Sequence, residues 1–379
     1  MKLVFFDFTI PYLLKDSQYP VGGFAVQLSS WLKGLPSIGS QVGVLTWKGA
    51  KNYVDQEHSF DLLDTYDPKK GIKIAKYFYY YIPTLIKVTK KYNPDVVIQA
   101  CSGVNTGILA FVCSYLNIPF VYRVANDMDV DGRCNDRLKA YEQKGYNYGL
   151  RKSSAILCQN TYQYDCLKEL YPNKPMYVLH NPFDTSKVLE ITKNRQNRSY
   201  IAWVGVFSKQ KNIPLLLDIA RQVPNVTFKI AGMPAKDLDT DSLLAIKELE
   251  KLPNVEFAGY IKRENIHTFL DSAVALLSTS HYEGFSNTFL EALATGVPVI
   301  APKRIDPDMI VSKNKLGLTT DHDNQLKDLI TEMVSKKEHD YQSLSSRCKA
   351  FLLDNFTPEA KSKELVTFLN DTLFQGEKK

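Results

Sequence analysis

The six cysteines of the chain (Cys101, Cys113, Cys134, Cys158, Cys166, Cys348) form no C-x-x-C pair. Several lie inside apolar runs, where a free thiol behaves as a small hydrophobe, so a reducing cytoplasm fits better than a disulfide framework. No apolar run reaches the roughly 18 residues that span a bilayer; the nearest, around "GILAFVCSYLNIPFVYRVA", is cut by Asn117 and Pro119. The opening "MKLVFFDF" lacks the longer apolar core and small-residue cleavage site of a signal peptide. These absences predict a soluble or peripheral protein in the cytoplasm, with the inner face of a membrane left open. Zinc spacing and a G-x-S-x-G nucleophile elbow are also missing, which argues against a hydrolase. Low-complexity segments and short repeats are absent. Lys and Arg exceed Asp and Glu by 47 to 41, for a net charge of +6, but no basic arm gathers the excess. Nucleic acid is not expected as a partner; small anionic ligands or lipids are compatible.

What is present is alternation. At 379 residues and 44% hydrophobic composition, the chain exceeds what one core usually organises, and two domains are expected. Short apolar runs alternate with helix-length segments: "KLVFFDF", a helix from about Gly23 to Leu35, "QVGVLTW", a helix near 72 to 92, "DVVIQA", a helix after Gly107, "PFVYRV", "SAILCQ" and "MYVLHNP". The rhythm lapses in the polar "DTSKVLEITKNRQNRSY" and resumes with "YIAWVGVF", a helix after Pro214, "VTFKIAG", a helix over about 241 to 251, "VEFAGY", "VALLSTS", another helix and "VPVIAP". This is the pattern of parallel α/β sheets. It predicts two doubly wound domains, residues 1–183 and 200–355, joined by a linker at 184–199. Ligands of such sheets bind beyond the carboxyl ends of the strands, so two facing sheets would place a site in the cleft between them.

The stretch "HYEGFSNTFLEALATGVPVIAP" carries the most chemistry. It reads as a loop after a buried strand, then a helix closed by Gly296 and Pro298. The backbone N–H groups at that helix start could hold a diphosphate at Ser286, Asn287 and Thr288, and Gly284 allows close approach. Glu283 and Glu291 flank the start, so each carboxylate could bind hydroxyls on one side of the anion, the layout of a nucleotide sugar. A plainer reading stands beside it: Thr288 and Glu291 match a capping box, and Glu283 could be a solvated loop charge.

This stretch resembles the E-x7-E signature of family-4 retaining glycosyltransferases. The resemblance extends over most of the chain, through the "GG" after the first strand, "PFVYRVANDMD", "HNPFD" and "VGVFSKQKN". It implies a GT-B fold, with two Rossmann-like parallel-sheet domains facing across a cleft. The implied activity is sugar transfer from a nucleotide-diphosphate sugar, with retained anomeric configuration and no metal cofactor. Glu283 would contact the donor sugar, Glu291 the ribose, and the backbone of Gly284, Phe285, Ser286, Asn287 and Thr288 the sugar and diphosphate. Lys211, after Gly205, would stabilise the leaving group. The family usually has Arg directly after that glycine; Val206 stands there instead, and Lys209 is a candidate replacement. Gly22 and Gly23 would approach the acceptor or diphosphate. A histidine common near Ala125 is missing, leaving Asn126 and Asp127 as candidate contacts and no assigned base. The final segment, 356–379, reads as a helix that would cross back to the N-terminal domain.

Without the resemblance, "VGVFSKQKN" is equally a basic loop and "GG" a plain helix start. Asp127, Asp129, Asp131 and Gly132 imitate a calcium loop, but Leu138 occupies the position of its bidentate glutamate. A D-x-D metal site there or at "DLDTD" suits a different fold. His180 fits either a ligand contact or a turn. Residues 69–91 mix seven lysines with aromatics, which suits either a helix on an anionic membrane or a sheet-packed helix with solvated lysines. The combined expectation is a retaining glycosyltransferase acting on a saccharide or lipid-linked acceptor in polysaccharide or glycolipid assembly. The alternatives are a sugar-nucleotide epimerase or hydrolase on the same fold, or a non-catalytic nucleotide-sugar sensor.

Overall fold

A computed structural model describes residues 1–15, 23–54, 57–72, 75–187 and 195–374. The chain divides into two compact units, Met1–Phe183 with Phe356–Lys379, and Asp184–Asn355.

In the first unit the strands are β1 (Lys2–Phe6), β2 (Gln41–Thr46), β3 (Asp61–Asp64), β4 (Val96–Ala100), β5 (Phe120–Arg123), β6 (Ala155–Cys158) and β7 (Met176–Val178). They form a parallel sheet in the order β3-β2-β1-β4-β5-β6-β7. The apolar runs are continuous because helices cover both faces. Val4, Val97 and Tyr122 point into one core, while Leu3, Phe5, Ile98 and Val121 point into the other, as period-2 geometry requires. The order in which strands are added reverses between β1 and β4, which pair in parallel, and the Gly23–Ser37 helix lies between β1 and β2. The last helix, Pro358–Leu373, packs in this unit through Leu365 and Leu369, and the Tyr177 hydroxyl donates to Glu364 at 2.9 Å.

In the second unit β8 (Tyr200–Val204), β9 (Phe228–Ala231), β10 (Val255–Gly259), β11 (Ala273–Leu277), β12 (Val299–Pro302) and β13 (Gly317–Thr320) form another parallel sheet. Its order is β10-β9-β8-β11-β12-β13. The order of connection reverses between β8 and β11, the point at which open sheets of this kind bind ligands.

Several local expectations shift. β3 and β13 escaped the sequence reading because "DLLD" and "GLTT" are edge strands with few apolar residues. The helix expected after Gly107 begins earlier, at Val104, because Gly107 is a packing position: a Cβ there would lie 2.5 Å from the Gly145 carbonyl oxygen. The segment near 72–92 is a π-helical turn, Tyr77–Tyr81, leading into the helix Ile82–Tyr92. Part of the linker, 188–194, lies outside the described residues.

Candidate active site

The loops after β8 and β11 meet at the crevice of the second unit. Beyond β8 the backbone turns through a short helical segment, Lys209–Lys211, and Asn212 in the left-handed region (φ 51°) redirects it into the Ile213–Gln222 helix. The side chain of Lys211 returns over the end of β8. A Cβ on Gly205 would sit 3.3 Å from Lys211 Cε and 3.3 Å from the Trp203 ring, so glycine at 205 makes room for the lysine stem. The Lys211 ammonium donates to Glu283 Oε1 at 2.6 Å, and the Ser280 hydroxyl donates to the same oxygen at 2.7 Å. Both charged side chains are largely buried, at 19% and 10% exposure, so neither is a freely solvated loop charge.

The two loops are stitched together by groups that the sequence reading did not single out. Thr279 Oγ1 donates to the Lys211 carbonyl at 2.7 Å and accepts from Trp203 Nε1 at 3.1 Å. Gln210 Nε2 donates to the Tyr282 carbonyl at 3.0 Å, and the His281 N–H donates to the Gln210 carbonyl at 2.9 Å. These partners are 68 to 76 residues apart in sequence, so no local pattern announces them.

The helix following β11 spans Asn287–Ala294, with Ser286 as its N-cap. This disposes of the capping box suggested by Thr288 and Glu291, since the helix starts two residues earlier than that box requires. Glu291 therefore stands well inside the helix, partly buried, rather than at the third position. Ser286 and Thr288 share a hydrogen bond at 2.8 Å, and Gly284, Phe285 and Ser286 are buried. The first turn of this helix lies at the carboxyl end of the sheet, where its N–H groups and partial positive charge favour an anion.

Lys209 is exposed and Val206 is 58% exposed. The basicity of His281 is lowered first by partial burial and then by the Arg304 guanidinium, with Lys209 acting in the same sense and Asp323 and Asp239 opposing. Asp239 caps the Thr240–Leu249 helix through a 3.0 Å bond from the Ser242 N–H, which gives one acid of "DLDTD" a structural task.

On the first unit, Gly23 opens the helix after β1, while Gly22 lies outside the described residues. Asn126 caps the short turn Asp127–Asp129, accepting from the Met128 N–H at 3.1 Å. Asp127 is buried and accepts from Asn160 Nδ2 at 3.0 Å and Gln163 Nε2 at 2.8 Å; burial raises its pKa against those bonds. Asp129 accepts from Ser102, and Asp131 pairs with Arg133. These acids brace the loop after β5 separately and do not converge on one point. His180 packs near the Phe356 ring at 6.0 Å, and the neighbouring Asn181 accepts from the buried Arg123 at 2.6 Å. Among the described residues no group of His, Cys, Asp and Glu is arranged to hold a metal ion.

Residues 184–349 match the sequence model of the family described as glycosyl transferases group 1. An uncharacterised 41.2 kDa protein of the cps region of Klebsiella pneumoniae is 25% identical over 233 residues, covering 58% of this chain and 63% of that protein. A GDP-mannose-dependent alpha-mannosyltransferase of Corynebacterium glutamicum is 22% identical over 263 residues, covering 63% of this chain and 58% of its own. The chain thus spans somewhat under two thirds of these relatives. In three dimensions, HepE of Anabaena, solved with UDP and glucose, superposes with a TM-score of 0.75 over 98% of this chain and 99% of its own, at 16% identity. Residues 184–349 thus match the glycosyl transferases group 1 family, in a chain that has the GT-B fold.

Proposed function

We propose that the protein is a retaining glycosyltransferase that moves a sugar from a nucleotide-diphosphate sugar to a saccharide or lipid-linked saccharide. The observation that carries this reading is the buried Lys211–Glu283 pair beside the Asn287–Ala294 helix start. It sets a cation, a hydroxyl-binding carboxylate and an anion-binding helix end around one crevice. In this reading the helix start and Lys211 hold the diphosphate, Lys209 adds positive charge, Glu283 fixes the donor sugar and Glu291 fixes the ribose. Gly205, Gly284 and the backbone from Phe285 to Thr288 let the ligand lie close.

During transfer the anomeric C–O bond to the diphosphate breaks. The acceptor oxygen bonds to the same carbon from the face the diphosphate leaves, and its proton passes to the departing phosphate oxygen. Fixed donors and cations stabilise charge as it develops on that phosphate, the largest single contribution in chemistry of this kind. Because these groups supply the positive charge, the reaction is proposed to need no divalent metal. The acceptor is proposed to meet the carboxyl ends of β1 and β5, where Gly23 and the turn beginning at Asn126 and Asp127 stand.

A second proposal concerns membrane contact, in which the surface around 69–91 rests on an anionic lipid layer from the cytoplasmic side. Phe78 and Tyr79 are 71% and 55% exposed, Ile72 is 74% exposed, and Lys87, Lys90 and Lys91 face solvent from the adjoining helix.

Calorimetry with a panel of UDP, GDP and ADP sugars in the presence of EDTA tests the donor reading. One donor should bind selectively to the wild type and much more weakly to Glu291→Ala. Product analysis with and without a saccharide acceptor separates transfer from epimerisation, hydrolysis and binding without turnover. An inverted anomeric configuration in the product would reject the retaining mechanism.

A further inference from the structure

We propose that Asp7, directly after β1, binds a hydroxyl group of a pyranose acceptor, in a subsite whose apolar wall is the Tyr12–Trp47 ring pair. This rests on the glycosyltransferase reading above and gives its acceptor side a named hydroxyl ligand.

Position comes first. Strand order in the first sheet reverses between β1 and β4, the point at which open sheets of this kind take ligands. Phe6 pairs in register with Gln99, so Asp7 stands at that point. Its own N–H donates to the Leu45 carbonyl at 3.1 Å, which carries the pairing with β2 one residue beyond the strand. On the other side of the reversal, the chain leaving β4 passes through Cys101 at φ 73°, a strained left-handed conformation for a residue that is not glycine. Gln99 Nε2 braces it by donating to the Cys101 carbonyl at 2.8 Å. Backbone strain held in this way concentrates at ligand sites.

The Asp7 carboxylate is anchored through one oxygen. Oδ1 accepts from the Thr9 N–H at 2.6 Å, the Thr9 hydroxyl at 2.8 Å and the Ile10 N–H at 2.7 Å. Oδ2 accepts from no described residue, and the residue is half-buried. The acid that ends β3 and those after β5 are more fully engaged. Asp64 uses one oxygen each on the Gly49 and Lys51 N–H groups. Asp129 takes the Ser102 hydroxyl on one oxygen and the Asn126 N–H on the other, and Asp131 holds Arg133 with both. Asp127 is buried with its two amides. Asp7 is therefore both fixed in place and open on one oxygen. An ionised carboxylate oxygen only accepts, so its natural partner is a donor such as a sugar hydroxyl.

The apolar wall stands on the loops of the same two strands. Tyr12 lies in the helix Ile10–Leu14 after β1 and Trp47 directly follows β2; their rings stack at 5.7 Å and 27°. Asp7 is tied to both supports of this pair, through the Ile10 N–H at the start of the Tyr12 helix and through Leu45, two residues before Trp47. Tyr53 meets the two rings edge-on at 5.6 and 5.4 Å, and the Lys15 ammonium covers it at 4.5 Å. Tyr12 and Trp47 are only half-buried, so the pair keeps aromatic surface open. A pyranose has a rim of hydroxyls and faces of C–H groups. The rim calls for fixed acceptors and the faces pack on aromatic surface, and this end of the sheet supplies both.

The test applies saturation-transfer NMR to the full chain, irradiating its aromatic protons in the presence of methyl pyranosides of glucose, galactose, mannose and N-acetylglucosamine. Calorimetry with nucleotides runs beside it. At least one pyranoside should take up saturation from the wild type. Asp7→Asn keeps an acceptor for the Thr9 and Ile10 N–H groups, since Asn caps as well as Asp. It should weaken that pyranoside by about tenfold or more, as loss of a charge-assisted hydrogen bond implies, with Tm and nucleotide affinity unchanged. Tyr12→Leu should also weaken it. If either variant binds the pyranoside like the wild type, or the wild type binds a nucleotide but none of the pyranosides, this inference is overturned and the donor reading survives. Loss of pyranoside and nucleotide affinity together in Asp7→Asn, with a lowered Tm, would make Asp7 a structural cap and also overturn it. A wild type that binds none of the nucleotides removes the donor reading and this inference together.

Discussion

At the scale of single residues, the molecule shows how burial assigns different tasks to like side chains. Glu283 is held against Lys211 and Ser280 in the crevice, whereas Asp127 is enclosed by two amides, Asn160 and Gln163, and pays a desolvation penalty that raises its pKa above the ordinary 3.8. The sign of the resulting pH dependence is fixed. A carboxyl raised in the folded state favours folding while protonated, and this contribution is lost as pH rises through the folded pKa. Asp127→Asn keeps an acceptor for the amides and removes the charge. The Tm of the wild type should therefore fall relative to this variant as pH rises above the ordinary carboxyl value of 3.8, as read by thermal unfolding across a pH series. Asp129, raised for the same reason, is common to both proteins and cancels in the difference.

At the scale of elements, close approach between helices depends on glycine. Gly34 lies inside the Gly23–Ser37 helix, and a Cβ there would fall 2.2 Å from the Pro358 carbonyl oxygen at the start of the last helix. In an isolated helix Gly→Ala is stabilising by about 0.5–1 kcal/mol. Here the sign should reverse, because the backbone of the neighbouring helix cannot yield as a flexible side chain would. Gly34→Ala is expected to destabilise the first unit by about 1–3 kcal/mol, the usual range for overpacking. Denaturant unfolding measures the loss, and the nucleotide binding proposed for the second unit should be unaffected. The same steric logic explains Gly107 against Gly145, which the sequence presented as a helix start and the fold uses as a contact.

At the scale of the whole molecule, no helix among the described residues is long and apolar enough to cross a membrane, yet the first unit exposes aromatics beside lysines. Tyr81 stacks on Tyr66 at 3.7 Å in the core, while Phe78 and Tyr79 of the same π-helical turn face outward. The sheet-packed reading of 69–91 thus holds on the Tyr81 side, and membrane contact on the exposed side is a proposal. Flotation with anionic phospholipid vesicles should recover the wild type at low salt and release it at high salt. Phe78→Glu should abolish recovery without lowering Tm, since Phe78 is already 71% exposed. Equal recovery of both proteins would reject the contact.

The sequence by itself determined the class of fold and much of its element order. Continuous Val, Ile and Leu runs can be covered only by helices on both faces, and alternation with helix-length segments specifies parallel sheets. It also showed which residue types flank the helix after β11, because loop, helix and strand there are contiguous. The short edge strands β3 and β13 were not legible, since "DLLD" and "GLTT" hold too few apolar residues to form a run. Nor was the start of the Asn287–Ala294 helix, where Thr288 suggested one register and the fold adopted another. Tertiary structure alone decided that Lys211 meets Glu283, 72 residues away, and that Thr279, Gln210 and Trp203 tie their loops together. It alone enclosed Asp127 in amides. The reason is physical: local sequence fixes periodicity and caps, whereas the pairing of distant loops follows from strand order, which puts β8, β11 and β12 side by side only after the sheet has formed.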